Sequence, residues 1–436
     1  MDYLYLRQIF LTDSMLYDIC IFFYGLGIRL ASLFSKKASL FISGRRKLLF
    51  KVEQELKVSR QGRFLVWFHC ASVGEFEQAR PIIEKIKSLH PDFYILLTFF
   101  SPSGYELRKD YRYADAVFYL PLDLPHNVRR FVDIVNPDIV ILIKYEFWRN
   151  MLQQLSKRDI PTYLVSGIFR KSQPCFRWWG GYMRKALRAF TTFFVQNTES
   201  AKLLSTIGLN NSYVTGDTRC DRVNDVASDK SLKDAVVEAF KGDGEVFVAG
   251  STWEEDERII ADSYKDVTGI KLVVVPHETD EGRITFVEHA FKDFSIIKYS
   301  DCENNIGDEK VAEACRNAEV LLVDKVGLLS KIYRYARFAY VGGGFHVGIH
   351  NVLEPAAYGC PVIFGPKYHK FQEAKDLLAA GAATAVHDES GFSVSVALWV
   401  SDPSVYKTAS NAARSYVESN LGASDTIIDK IFGQNI

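Results

Sequence analysis

The stretch RFLVWFHCASVGEFEQARPIIEKIKSL, Arg63–Leu89, decides how the rest of the chain is read. It opens on the apolar run Phe64–Phe68, passes through the small residues Ala71, Ser72 and Gly74, and continues as a helical pattern to about Leu89. A continuous apolar run of this length has the signature of a strand buried on both faces, and a turn followed by a helix is half of a parallel crossover unit. Outward from it the same unit recurs. Further runs stand at Phe93–Phe100, Ala116–Leu120, Asp138–Tyr145, Thr162–Ile168 and Phe193–Asn197, with room for a crossover helix between them.

Around 217–244 the alternation loosens into a polar stretch that reads as a linker. A second series then begins: Val246–Gly250, Lys271–His277, Phe294–Tyr299, Val320–Asp324, Phe338–Gly343, Pro361–Gly365 and Ala383–Val386. Two such series predict an α/β protein with two facing, doubly wound parallel sheets, a 51–216 domain and a 245–410 domain. Residues 411–436 are expected to form a C-terminal helix that packs back on the first domain. Open parallel sheets bind ligands beyond the carboxyl ends of their strands, so the expected site is the cleft lined by those ends.

Composition narrows the function. Lys+Arg and Asp+Glu are balanced at 53 each, unlike the basic excess of a nucleic-acid binder. The seven cysteines are an odd number, form no CxxC pair and have no zinc spacing, so neither a disulfide framework nor a metal site is expected. Residues 1–50 stand apart. Met15–Phe34 is apolar and aromatic but carries Asp18 and Arg29, and it is followed by Lys36, Lys37, Arg45, Arg46, Lys47 and Lys51. This pattern suits shallow insertion into an anionic membrane surface, or else an amphipathic helix buried on the first domain.

Candidate residues follow the strands. Glu75 opens a helix, where a carboxylate either caps the helix or serves as the base that takes a proton from a hydroxyl. Ser101, Ser103 and Gly104 form an anion-binding turn or an ordinary N-cap. Glu146, in Lys144-Tyr145-Glu146-Phe147-Trp148, faces the cleft or caps the next helix. Gly250-Ser251-Thr252 is a turn suited to phosphate approach, and Pro276-His277 ends the next strand. The densest signal is Gly342-Gly343-Gly344-Phe345-His346-Val347-Gly348-Ile349-His350-Asn351-Val352-Leu353-Glu354-Pro355. Its three glycines are expected to let a ligand approach the backbone, with a helix beginning near Asn351 and Glu354 placed to accept from ribose hydroxyls. Arg219, Lys367, His369 and Lys370 are candidate cations for a leaving phosphate.

Together these motifs resemble the Kdo transferases, the 3-deoxy-D-manno-octulosonic acid transferases of lipopolysaccharide biosynthesis. The likeness runs through Ser72-Val73-Gly74-Glu75, Ser101-Pro102-Ser103-Gly104, Glu146-Phe147-Trp148, Gly250-Ser251-Thr252 and His350–Pro355, over nearly the whole chain. It implies a GT-B fold and an inverting transfer, without metal or other cofactor, from CMP-Kdo to a lipid A precursor at the cytoplasmic face of the inner membrane. It implies Glu75 as general base, with Glu146 the second catalytic candidate, and an acceptor side at Ser72, Gly74, Ser101, Ser103 and Gly104. It implies a donor side at Ser251, Thr252, Pro276, His277, Gly327, Leu328, Gly344, His350, Asn351, Leu353 and Glu354. The chain departs from the family pattern at Pro276-His277, Gly327-Leu328-Leu329, Lys370 and Ile168-Phe169-Arg170, which moves the expected carboxylate contacts to Arg170 or Lys171. The rival readings are a UDP-sugar transferase acting on a lipid carrier and a two-lobed sugar-binding protein without catalysis.

Overall fold

The computed structural model describes residues 2–433, with side chains from Met15 onward. Residue 1 and residues 434–436, at the ends of the expected N-terminal segment and C-terminal helix, lie outside the described residues, as do the side chains of residues 2–14. The chain divides into two compact units, Met1–Arg219 with Gly422–Ile436, and Cys220–Leu421.

Each unit holds one seven-stranded sheet with every paired strand parallel. In the first, β1 (Leu65–Cys70), β2 (Tyr94–Phe99), β3 (Ala116–Tyr119), β4 (Ile139–Ile143), β5 (Thr162–Gly167), β6 (Thr192–Val195) and β7 (Ser212–Val214) lie in the order 3-2-1-4-5-6-7. In the second, β8 (Glu245–Thr252), β9 (Ile270–Pro276), β10 (Ile296–Lys298), β11 (Val320–Leu322), β12 (Ala336–Val341), β13 (Val362–Phe364) and β14 (Ala383–Ala385) lie in the order 10-11-9-8-12-13-14. The apolar runs of the sequence are these strands. Leu65–Cys70, Tyr94–Phe99, Ile139–Ile143 and Thr162–Gly167 are buried along their whole length, because helices cover both faces. The short strand β7 carried no such run: it is an edge strand whose Tyr213 and Val214 are about half exposed.

In both sheets the order reverses beside the first strand of the unit, between β1 and β4 and between β8 and β12. Those switch points open crevices at the carboxyl ends, and the candidate motifs follow the strands that flank them.

Three boundaries differ from the sequence reading. Residues 217–244 are not a linker but carry the helices Arg219–Ser228 and Ala235–Lys241, and Val236, Val237 and Phe240 enter the core of the second unit. Few apolar residues are enough for a helix that lies on an existing sheet, so the local pattern was weak. The second unit therefore begins at Cys220 rather than 245 and runs to Leu421 rather than 410. Residues 411–436 are not one helix. Pro403–Ser419 stays with the second unit, and Gly422 turns the chain at φ 86° into Ala423–Phe432. That last helix packs on Val73–Leu89, burying Ile427, Ile428, Ile431 and Phe432 in the core of the first unit.

At the N-terminus, the helix Asp2–Ala31 is followed by Lys36–Gly44 and Leu48–Ser59. Phe41, Leu48, Val52 and Leu56 are buried, so the segment 1–50 is integrated with the first unit from its second helix onward. The long helix is tied to it through Tyr17, whose hydroxyl donates to Asp123 Oδ2 at 2.7 Å, and through Asp18, which accepts from Asn150 Nδ2 at 2.8 Å. Met15, Leu16, Ile19, Phe22, Phe23, Leu26, Leu30, Leu33 and Phe34 nonetheless remain exposed. Among the described residues no helix is long and apolar enough to cross a membrane.

Candidate active site

In the first unit the switch point is built around β1. Ser72 is the N-cap of the 17-residue helix Val73–Leu89, accepting from Gly74 N at 3.3 Å, and Glu75 sits in its first turn. The Ser72 hydroxyl donates to Glu75 Oε2 at 2.5 Å, which fixes the carboxylate where the helix dipole favours its charge. The penultimate residue of the strand is His69, fully buried, whose Nδ1 lies 2.9 Å from Thr98 Oγ1 and whose Nε2 lies 3.0 Å from Glu146 Oε2. The same Glu146 oxygen accepts from the Trp148 indole N–H. Burial, reinforced by Glu75 and Glu146, pushes the Cys70 thiol well above its ordinary range, so Cys70 is a neutral thiol beside two carboxylates.

Glu146 is thus only 6 % exposed and held by two donors. It caps no helix, and its side chain anchors the end of β4 to β1 rather than facing open space. Gly104 is buried too: a Cβ there would stand 2.5 Å from the Phe99 ring, so its glycine serves packing. Ser101 and Ser103 remain at the surface of the same turn, their hydroxyls 2.8 Å apart. Gly74 is exposed at the helix start. Arg219 forks onto Asp217, with Nε and Nη2 3.0 and 2.6 Å from Oδ2, so it is committed within the first unit.

In the second unit the site is an aromatic and imidazole cluster at the ends of β8, β9 and β12. Trp253 follows β8, and its ring lies 4.9 Å from His277 and 5.0 Å from His346. His277 stacks on His350 at 4.3 Å. Asp256 locks the scaffold from beneath: its Oδ2 accepts from Trp253 N and Gly343 N, each at 2.9 Å, and its Oδ1 accepts from the Tyr340 hydroxyl at 2.6 Å. Burial raises this carboxyl's affinity for a proton against those three bonds. Thr252 is fully buried and donates to Glu257, which also holds Arg283, so its hydroxyl supports the turn and does not face a ligand. Pro276 is likewise buried. Ser251 is left half-buried at φ 54°, a left-handed conformation uncommon for a residue with a side chain. Lys144 at the end of β4 and Ser166 in β5 share it, at φ 70° and 55°. Strain of this kind gathers at ligand sites.

Packing accounts for the three glycines. A Cβ at Gly342 would stand 2.3 Å from Ser251 O, at Gly343 2.5 Å from Gly348 O, and at Gly344 2.5 Å from the Gly365 backbone. The close approach they permit is of chain to chain, which by itself requires glycine at all three positions. Lys367 closes the same loop by donating to the carbonyls of Phe345 and His346. The helix expected near Asn351 begins at Leu353 and has only five residues, too short for much of a dipole. Asn351 instead orients the segment: Oδ1 accepts from Leu353 N at 3.2 Å and Nδ2 donates to Glu354 Oε1 at 3.0 Å. Gly327, exposed at φ 86°, and the half-buried Leu328 form the turn after β11. His369 and Lys370 precede the helix Gln372–Ala379.

The sequence reading missed His69, Trp253, Asp256 and His346. Asp256 was accessible as the third helical residue after Trp253, the capping-box position. Nothing local marked His69, whose partners are 29 and 77 residues away.

His350 gives this cluster a pH dependence. Burial and the neighbouring His277 lower its pKa from the ordinary 6.5 to about 4, and its Nε2 accepts from the Trp253 indole at 3.2 Å, as a neutral ring can. The unfolded chain takes up this proton near pH 6.5, the folded chain only near 4. Stability from the neutral ring is therefore complete above 6.5 and is lost as pH falls through that window. The second unit should show a falling denaturant midpoint between pH 6.5 and 4, and His350→Asn should flatten that slope. An equal slope in parent and variant would refute the assignment.

Two units, each a doubly wound parallel sheet with a topological switch point, define the GT-B fold. The fold is shared with UDP-GlcNAc 2-epimerase from Neisseria meningitidis, which superposes at TM-score 0.61 over 85 % of this chain and 100 % of that one, at 14 % identity. Residues 44–222 match the family model described as 3-deoxy-D-manno-octulosonic-acid transferase (kdotransferase). The 3-deoxy-D-manno-octulosonic acid transferase of Aquifex aeolicus is 31 % identical over 334 residues, 74 % of this chain and 82 % of that one. The protein of the same name from Haemophilus influenzae is 29 % identical, covering 71 % and 72 %. The chain belongs to the Kdo transferase family.

Proposed function

We propose that the enzyme transfers Kdo from CMP-Kdo to a hydroxyl of a lipid A precursor, with inversion at the anomeric carbon. The observation that carries the chemical part is Glu75: a carboxylate in the first turn of a long helix at the β1 switch point, oriented by Ser72. The acceptor O–H proton passes to Glu75, the acceptor oxygen bonds the anomeric carbon, and the bond from that carbon to the phosphate oxygen breaks, CMP leaving with the electron pair. Holding Oε2 on Ser72 leaves Oε1 to receive the proton. Ser101 and Ser103 are the acceptor-side hydroxyls we assign. In the second unit, Ser251, His277 and His350 are the phosphate side, and Asn351 with Glu354 the ribose side. Donors and dipoles fixed in advance by Asp256 and Asn351 stabilise the departing nucleotide without reorganising.

One assay tests this reading. Incubation with CMP-Kdo and a tetraacylated lipid A precursor should yield an acceptor heavier by Kdo, with CMP inhibiting and UDP not. No product, or equal inhibition by UDP, sinks it.

We also assign membrane contact to the exposed apolar row of the first helix and the cations after it. Replacing Phe22, Phe23 and Leu26 by Asp together should abolish sedimentation with anionic vesicles at physiological salt. Sedimentation equal to the parent's would overturn the assignment.

A further inference from the structure

A second concavity lies in the first unit, apart from the carboxylate of Glu75. It encloses about 270 Å³. Its apolar walls are Tyr24 and Ile28 of the first helix, Ala38 and Phe41 of the second, and Phe100 and Pro102 after β2. Ser35, Lys37, Ser101 and the hydroxyl of Tyr24 are its polar side-chain groups, and its lining has no carboxylate. The walls are fixed before any ligand arrives. Phe41 and Phe100 meet edge to face at 5.3 Å, Tyr24 stacks on Phe100 at 6.3 Å, and the Arg45 guanidinium lies 3.5 Å over the Phe41 ring. Arg45 also donates to the carbonyls of Phe100 and Leu120, each at 2.8 Å, which pins the turn that carries Ser101.

The pocket's occupant follows from its chemistry. A nucleotide or sugar would find almost no polar partner here, and a folded protein segment would not fit the volume. A slender alkyl chain fits both. The helix that supplies Tyr24 and Ile28 turns Phe22, Phe23, Leu26 and Leu30 outward at 58, 61, 41 and 60 % exposure, so apolar surface continues from the outer face into the pocket. Lys37 supplies a cation at the rim for an anionic head. Ser101 places the other rim beside the acceptor-side turn.

We propose that this pocket receives one acyl chain of the lipid acceptor and thereby sets the enzyme's preference for acylated over deacylated acceptor. The proposal rests on the transfer reading above for the identity of the acceptor. Its physical content is separate: each methylene that enters the pocket strengthens binding about fourfold. Acceptors whose chains fill the pocket should therefore outbind shorter ones steadily until its end is reached.

Ala38→Trp fills the cavity from the second helix, and Ile28→Trp fills it from the first. Binding is read directly, by displacement of a fluorescent acyl probe from the full-length protein, and transfer is read beside it. Both variants should weaken the acylated acceptor at least about tenfold while the deacylated sugar backbone shifts less than about twofold. An acceptor with shortened chains should narrow the difference. Val58→Trp, on an exposed helix position outside the pocket, controls for an added indole and should change neither. Loss of both acceptors equally in the two filling variants, or of neither, overturns the proposal. Reduced sedimentation with acceptor-free phosphatidylethanolamine–phosphatidylglycerol vesicles, at unchanged acceptor affinity, makes the occupant bilayer lipid and also overturns it. A parent protein that binds the acylated acceptor selectively yet transfers nothing to it sinks the reaction assignment and leaves the pocket supported.

Discussion

Glu75→Gln should slow transfer about 10²–10⁴-fold, the usual contribution of a general base. CMP affinity should stay within about twofold, because the nucleotide is assigned to residues of the other unit. The competing role is capping. Glu75 does occupy the first turn, and the Ser72 hydroxyl bonds to it. Glutamine keeps an oxygen to accept that bond, so a pure cap would lose only the dipole interaction, about 0.3–1 kcal/mol of stability, and almost no rate. Turnover, CMP affinity and melting measured on one preparation separate the two roles. A variant whose turnover is within about threefold of the parent would place the base elsewhere.

Glu146→Ala should destabilise the first unit by about 1–3 kcal/mol for each buried donor left unsatisfied. Its carboxylate receives both the His69 ring and the Trp148 indole, and removing it leaves the buried ring and the half-buried indole without that acceptor. Glu146→Gln retains an acceptor and should lose markedly less. Its turnover should stay within about tenfold of the parent, since the carboxylate is 6 % exposed and already accepts from His69 and Trp148. Urea titration of the first unit's fluorescence, with turnover on the same samples, distinguishes an anchor from a base. A Glu146→Gln enzyme that is stable but slowed beyond about a hundredfold would reverse the roles of Glu75 and Glu146.

The two carboxylates show how far local sequence reaches. Both follow apolar runs, so both could be placed at strand ends from sequence alone. Their environments could not be read, because they depend on partners far along the chain. Glu146 is buried by His69, 77 residues earlier, whereas Glu75 is held by Ser72, three residues away. The glycines of the 342–344 stretch mark a crowded backbone, and the chain segments that crowd it, at Ser251, Gly348 and Gly365, could not be read from the local sequence.

The sequence by itself determined the two series of buried parallel strands, since a strand covered on both faces must be apolar throughout, and it determined the turns at their carboxyl ends. It also carried the family likeness, which lives in those turns. The tertiary structure alone decided the rest. Strand order places β1 between β2 and β4, and β8 between β9 and β12, a choice made by long-range pairing that no local pattern encodes. The helices within 219–241 and the return of Ala423–Phe432 to the first unit depend on sheet faces waiting to be covered. So does the apolar pocket at Phe41 and Phe100, whose walls come from three separate segments and exist only once Arg45 ties them together.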